Sequence, residues 1–142
     1  MRVLLGMRGR RAPALAARLG RSARRLLRRL ALRDAELSIV LVSDCVIREL
    51  NRRWRGRDRP TDVLAFPQTE GPVSPPDGML GDVVISVDTA RRQAAERGTT
   101  VGREADRLLI HGLLHLLGYD HELSAAEARR MQRRERALAR WL

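Results

Sequence analysis

The chain has no lysine and a single cysteine, Cys45, among its 142 residues, and only 3% of them are aromatic. One cysteine excludes an intrachain disulfide and a cysteine-based zinc cluster, and it points to a reducing, cytoplasmic compartment. Flanked by Val46 and Ile47, Cys45 reads as a small buried apolar residue. Scarce aromatics leave a core to be built from Leu, Val, Ile and Ala. No apolar run approaches the ~20 residues of a membrane span, and no signal-peptide hydrophobic region precedes a small-residue cleavage site. The missing lysine mostly reflects genomic base composition, although arginine's planar fork would suit an RNA phosphate. Histidine is scarce too: there are three, all within residues 111–121.

A length of 142 residues, 44% of them hydrophobic, is that of one domain spanning 1–142 with a real core. The formal net charge is +11, and residues 1–33 hold eleven arginines and no Asp or Glu. The other 109 residues carry seventeen arginines against seventeen acids, so the excess belongs to the N-terminal segment. Such a block attracts polyanions, nucleic acid foremost. Within it, residues 2–5 read as a first strand. Over residues 13–32, Leu15, Leu19, Leu26 and Leu30 recur at helical spacing, widened by Ala16, Ala23 and Leu27, with arginines 18, 21, 25, 28 and 29 on the other face. A transit peptide or a membrane-surface helix has this pattern; an ordinary domain helix with a solvated charged side fits it best.

Residues 36–42 alternate and are β-branched, a strand. Ser43-Asp44 caps a helix over 45–54 with Ile47 and Leu50 facing inward. A charged turn at 55–60 leads into a strand at 62–66, ended by Pro67. Residues 67–80 hold four of the six prolines and two glycines, the composition of a mobile surface loop. A strand at 81–87 follows, then a helix capped by Asp88, running through 95 and closed by Gly98. The helix carrying the histidines starts near 101 and is apolar on nearly every side, as a covered central helix is. Ser124 opens the last helix, with Glu127 completing a capping-box pattern. Strands and helices intermixed in one domain predict an α+β fold with α/β-type mixing: a small, roughly four-stranded mixed sheet flanked by helices.

His111 and His115 are four apart and share one helix face. Gly118 offers a helix stop, because glycine takes the left-handed conformation without a Cβ penalty, and the returning chain can bring His121 to the other two. Three neutral imidazoles at one point leave the fourth tetrahedral position open, the arrangement of a catalytic metal rather than a closed structural one. The spacing is that of metzincin protease ligands, but those enzymes place a glutamate directly after the first histidine as general base. Here that residue is Gly112. A zinc ion lowers the pKa of a bound water to about 7 without a strong protein base. A phosphodiester would need positive charge around its oxygens, and Arg52, Arg53, Arg55, Arg57 and Arg59 stand just ahead of the strand at 62–66.

Three blocks in order carry a resemblance to a known family. The first runs from Asn51 through Trp54-Arg55-Gly56, Asp58 and Pro60-Thr61-Asp62-Val63-Leu64-Ala65-Phe66-Pro67; the second is Leu80-Gly81-Asp82-Val83; the third is His111 to His121, with Met131 beyond it. Together, over roughly residues 36–137, they resemble the YbeY-type endoribonucleases. Ala65 stands where that family usually has serine, and the arginine density of the N-terminal third is unusual for it. The resemblance implies a metal-dependent, single-strand-specific endoribonuclease, a phosphodiester hydrolase acting in 3′-end maturation of small-subunit 16S ribosomal RNA and in ribosome quality control. It implies one zinc ion held by His111, His115 and His121, with Arg55 and His115 the candidate catalytic residues.

Around that centre, Arg52, Arg53, Arg57 and Arg59 are candidate substrate contacts. Trp54 could stack on an unpaired base, though a buried helix aromatic is the favoured reading. Asp120 is either a partner fixing a histidine tautomer or a turn-stabilising residue. Asp62 and Thr61 line the cleft or begin a strand; Asp82 takes a structural hydrogen bond, although its place at a strand start keeps it a site candidate. Two other readings stay open: a metal hydrolase of another substrate, a metzincin-like peptidase included, and a ribosome-assembly factor whose zinc is mainly structural.

Overall fold

The β-branched runs form one four-stranded sheet in the order β1-β2-β4-β3. In the computed structural model, which describes residues 1–68 and 78–142, β1 (Arg2–Arg8), β2 (Glu36–Val42) and β4 (Met79–Ser86) run parallel. The edge strand β3 (Val63–Pro67) is antiparallel to β4, with Ala65 opposite Val83. The helices are α1 (Pro13–Arg29), α2 (Asp44–Arg55), α3 (Val87–Arg97), α4 (Val101–Leu116) and α5 (Ala125–Ala139). The chain is thus α+β with a mixed sheet, and no helix among the described residues is long and apolar enough to cross a membrane. The proline-rich loop expected at 67–80 falls largely outside the described residues, with β4 already begun at Met79.

One sheet face packs against α1 and α4. Leu19, Ala23, Leu26 and Leu27 of α1 meet Leu108, Leu109, Leu113 and Leu114 of α4 in a core that also takes in Leu37, Ile39 and Ile85. Each fully buried leucine contributes roughly 1.5–3 kcal/mol. The basic N-terminal helix is therefore part of the core: Arg18 and Ser22 both bond the Asp106 carboxylate on α4, Arg18 Nη2 at 2.9 Å and Ser22 Oγ at 2.7 Å. On the opposite sheet face, Ile47 of α2 packs with Val42, Leu64 and Val84.

Gly112 decides how closely α4 meets the sheet. A Cβ there would lie 2.7 Å from Val83 Cγ1 and 3.3 Å from Val63 Cγ2, so no larger residue fits without moving α4 from β3 and β4. The position that lacks a glutamate is one where backbone approach leaves room for none.

Several local expectations change on folding. Cys45 is exposed rather than buried, because Ile47 and Asn51 take the inward side of α2. Ser86, not Asp88, caps α3, its hydroxyl accepting from the Thr89 N–H. Asp88 instead reaches across to the start of α2, accepting the Asp44 N–H at 2.9 Å and pairing with Arg10. Asp44 returns the contact, accepting from the Ser86 and Thr89 hydroxyls at 2.6 and 2.7 Å. The Asp44 N–H chiefly, and then Arg10, hold the Asp88 carboxyl below its ordinary value. Burial alone would raise Asp44, but hydrogen bonds from Ser86, Thr89 and Arg92 outweigh it and lower it too. Ser124 caps α5 as expected, accepting the Glu127 N–H, while the Glu127 carboxylate faces Arg130 rather than closing the box.

Candidate metal centre

The three histidines converge through local geometry alone. His111 and His115 leave α4 one turn apart, and the helix stops at Leu116 with Leu117 as its cap. Gly118 follows at φ +97, a conformation that favours glycine. The Gly118 and Tyr119 N–H groups donate to the carbonyls of His115 and Leu114, both at 3.0 Å, folding the chain back so that His121 faces the pair. The ring centroids form a near-equilateral triangle, 4.9 Å between His111 and His115 and 5.2 Å from each to His121. One ring nitrogen from each lies within 4.8 Å of the others, so the trio could hold a metal ion.

His115 is half-buried. Burial disfavours its imidazolium, and His111 and His121 add repulsion, so its pKa is lowered from the ordinary 6.5. A neutral imidazole is the form that ligates.

The trio lines one wall of a groove of about 650 Å³. Val63 to Phe66 of β3 and Trp54, Arg55 and Arg57 line it as well. Those side chains owe their place to how α2 ends. Gly56 caps the helix at φ 69; Asn51 Nδ2 then donates to the Arg59 carbonyl at 2.9 Å, and Arg48 grips Asp58 at 2.9 Å. The loop is pinned back on α2, and Arg55 and Arg57 line the groove together with β3. Arg55 Nη2 reaches Glu122 Oε1, another lining residue, at 3.4 Å, a solvent-exposed pair of the kind worth little in stability.

The five arginines of this stretch therefore divide. Arg55 and Arg57 line the groove, whereas Arg52, Arg53 and Arg59 do not. Arg52 pairs with Glu49 one turn back on α2. Trp54 is not a buried helix aromatic: it is 65% exposed and meets Phe66 edge to face, centroids 6.3 Å apart. Thr61, Asp62, Asp120 and Glu122 complete the lining. Asp62 accepts from the Val63 N–H at 2.8 Å and Gln93 Nε2 at 3.2 Å. Asp120 accepts the Glu122 N–H at 2.9 Å, a turn-stabilising bond, and its side chain has no bond to a histidine among the described residues. Asp82 sits on β4 opposite Phe66, outside the groove lining.

Two contributors do not stand out in the sequence. Phe66 belongs to the first family-like block, with nothing there to mark it as a support for Trp54. Glu135, on α5, places Oε1 3.3 Å from His111 Nδ1. The signal available for it is Met131, a core residue four positions earlier and hence on the same helix face.

Comparison with known proteins adds a family and a fold likeness. Residues 14–142 match the family described as Endoribonuclease YbeY. A protein of that name from an Anaeromyxobacter species is 55% identical over 99% of this chain and 71% of its own length. Another from Anaeromyxobacter dehalogenans is 55% identical over 88% of this chain and 63% of itself. One from Geobacter metallireducens is 46% identical over 97% and 93% respectively. The solution structure of TM1509 from Thermotoga maritima superposes with a TM-score of 0.68 at 29% identity, covering 97% of this chain and 88% of that one.

Proposed function

Because the chain belongs to the YbeY endoribonuclease family, we propose that it is a zinc-dependent, single-strand-specific endoribonuclease of the cytoplasm. Its substrate would be small-subunit 16S ribosomal RNA, at 3′-end maturation and in ribosome quality control, with the small ribosomal subunit as partner. The observation that carries this reading is the convergence of three imidazoles on a groove that Arg55 and Arg57 also line. Three imidazole nitrogens without a thiolate suit zinc, and one from each ring lies within 4.8 Å of the others. Zinc held there by His111, His115 and His121 would supply Lewis-acid chemistry.

The chain's own residues supply the rest. Arg55 exchanges the Glu122 carboxylate for the non-bridging oxygens of the scissile phosphate and stabilises the charge that builds on them. Arg57 holds a neighbouring phosphate. Trp54, steadied by Phe66, offers an indole face to a base, and only an unpaired strand has base faces free to take it. His115 stays neutral at working pH. Asp62 braces the start of β3, and Asp120 the turn that carries His121. Arg52, Arg53 and Arg59 form an outer basic surface, and the arginine face of α1 docks on more distant RNA. Residues 1–142 act as one domain in this. The peptidase alternative loses its general base to Gly112 and its close approach to Val83.

The decisive experiment is metal analysis of purified protein alongside cleavage of single-stranded RNA. Wild type is expected to carry one zinc and cut; His115→Ala loses both, whereas Arg55→Ala keeps zinc and loses about 10²–10³-fold in rate. Metal-free wild type, or cleavage indifferent to His115, ends the reading.

A further inference from the structure

Helix α5 reaches the metal centre through one side chain. Glu135 and His111 are 24 positions apart, and each side chain is about one-fifth exposed, at 21% and 22%. Among the described residues, His111 is the one member of the trio whose ring nitrogen has a hydrogen-bond partner. α5 is held in register by the Ser124 cap and by Met131, buried at 1% exposure, so the carboxylate is delivered by a fixed helix rather than by a loop.

A neutral imidazole carries its proton on either nitrogen, and only the bare nitrogen can bind a metal. With Nδ1 beside Oε1, the stable arrangement is Nδ1–H donating to the carboxylate, which leaves the Nε2 lone pair free. We infer that Glu135 is a positioning residue: it selects the Nδ1–H tautomer of His111 and so aims Nε2 at the metal. Partners of this kind set metal affinity by about 10–100-fold. The inference rests on the metal reading above. It also gives α5 a task that its otherwise charged, solvent-facing sequence does not announce.

The test compares wild type, Glu135→Ala, Glu135→Gln and, on the same helix but away from the histidines, Glu127→Ala. Zinc affinity is read by competition with a chromophoric chelator. The His111 tautomer is read by long-range ¹⁵N–¹H NMR on zinc-free protein. Glu135→Ala should bind zinc about 10–100-fold more weakly and lose the Nδ1–H preference at His111 alone. Glu135→Gln, whose amide oxygen can still accept the proton, should fall between, and Glu127→Ala should match wild type. Zinc affinity within twofold of wild type in Glu135→Ala, with the tautomer unchanged, overturns the inference. Were wild type to take up no zinc, the proposed function would fall, and the tautomer measurement would still decide the role of Glu135.

Discussion

α1 carries six arginines in seventeen residues, and residues 52–59 carry five in eight, yet the two stretches use them differently. α1 lies over the sheet with Leu19, Ala23, Leu26 and Leu27 fully buried; its arginines occupy the side left for solvent, and Arg18 turns inward only to meet Asp106. The end of α2 has little to bury. Asn51 is its last buried residue, and the loop beyond is held by hydrogen bonds to Arg59 and Asp58 while Arg55 and Arg57 overhang the groove. The same side chain thus serves a solvated helix face in one place and the lining of a cleft in the other. What separates them is the apolar stripe beneath, not the charge.

The comparison can be broken most forcefully by deleting that stripe. Leu26→Ala should cost about 2–5 kcal/mol in denaturant unfolding while leaving the turnover of folded enzyme intact, the reverse of the pattern expected for Arg55→Ala. A rate loss from Leu26→Ala without a stability loss would erase the distinction.

A smaller effect is expected where α4 touches the sheet. Gly112→Ala should destabilise by about 1–3 kcal/mol through overpacking on Val83, and it should weaken metal binding as well, because His111 and His115 ride on the helix that must shift. Unchanged melting would mean that α4 lies farther from β4 than the 2.7 Å approach implies.

Reversing Arg21, Arg24 and Arg28 to glutamate tests the α1 face directly. The slope of log affinity for long RNA against log salt should fall by about one for each phosphate the helix ceases to neutralise, with cleavage of a short oligonucleotide unaffected. An unchanged slope would leave α1 as a structural helix and nothing more.

The smallest effects concern pH, and the groove and the helix-start clasp should respond in separate windows. The His115 pKa is lowered in the folded state, so below its ordinary 6.5 the unfolded chain takes up a proton that the fold resists; zinc-free protein should begin to lose stability as pH falls through that value. Asp44 and Asp88 are lowered too, but as carboxylates, so their stabilisation is complete above their ordinary 3.8 and is lost only as pH falls below it. Melting temperatures of wild type and His115→Gln between pH 8 and 5 check the first window: the variant should lack the decline.

Much of the fold was legible residue by residue. The caps at Ser43 and Ser124 and the stop at Gly118 rest on interactions a few positions long, and the strands at 36–42 and 62–66, though paired with distant segments, announce themselves in the local pattern of their side chains. Where reading failed, a distant neighbour had intervened. Asp88 resembles a cap until Asp44 and Arg10 claim its carboxylate, and Cys45 resembles a core residue until Ile47 takes the inward side of α2. Trp54 has the look of a core aromatic, since exposing one is costly, but α2 turns it toward Phe66 and the groove.

The same division of scale runs through the site. By itself the sequence determined the histidine trio, because a four-residue spacing and a glycine stop act within one turn of helix. It also determined that no general base follows His111. Tertiary structure alone decided which two of five arginines overhang the groove and why Gly112 must stay small. It decided too that Asp120 serves its turn while Glu135, 24 residues from His111, reaches the ring nitrogen. Contacts over such separations depend on how helices settle on the sheet, and that packing is a property of the whole core rather than of any local stretch.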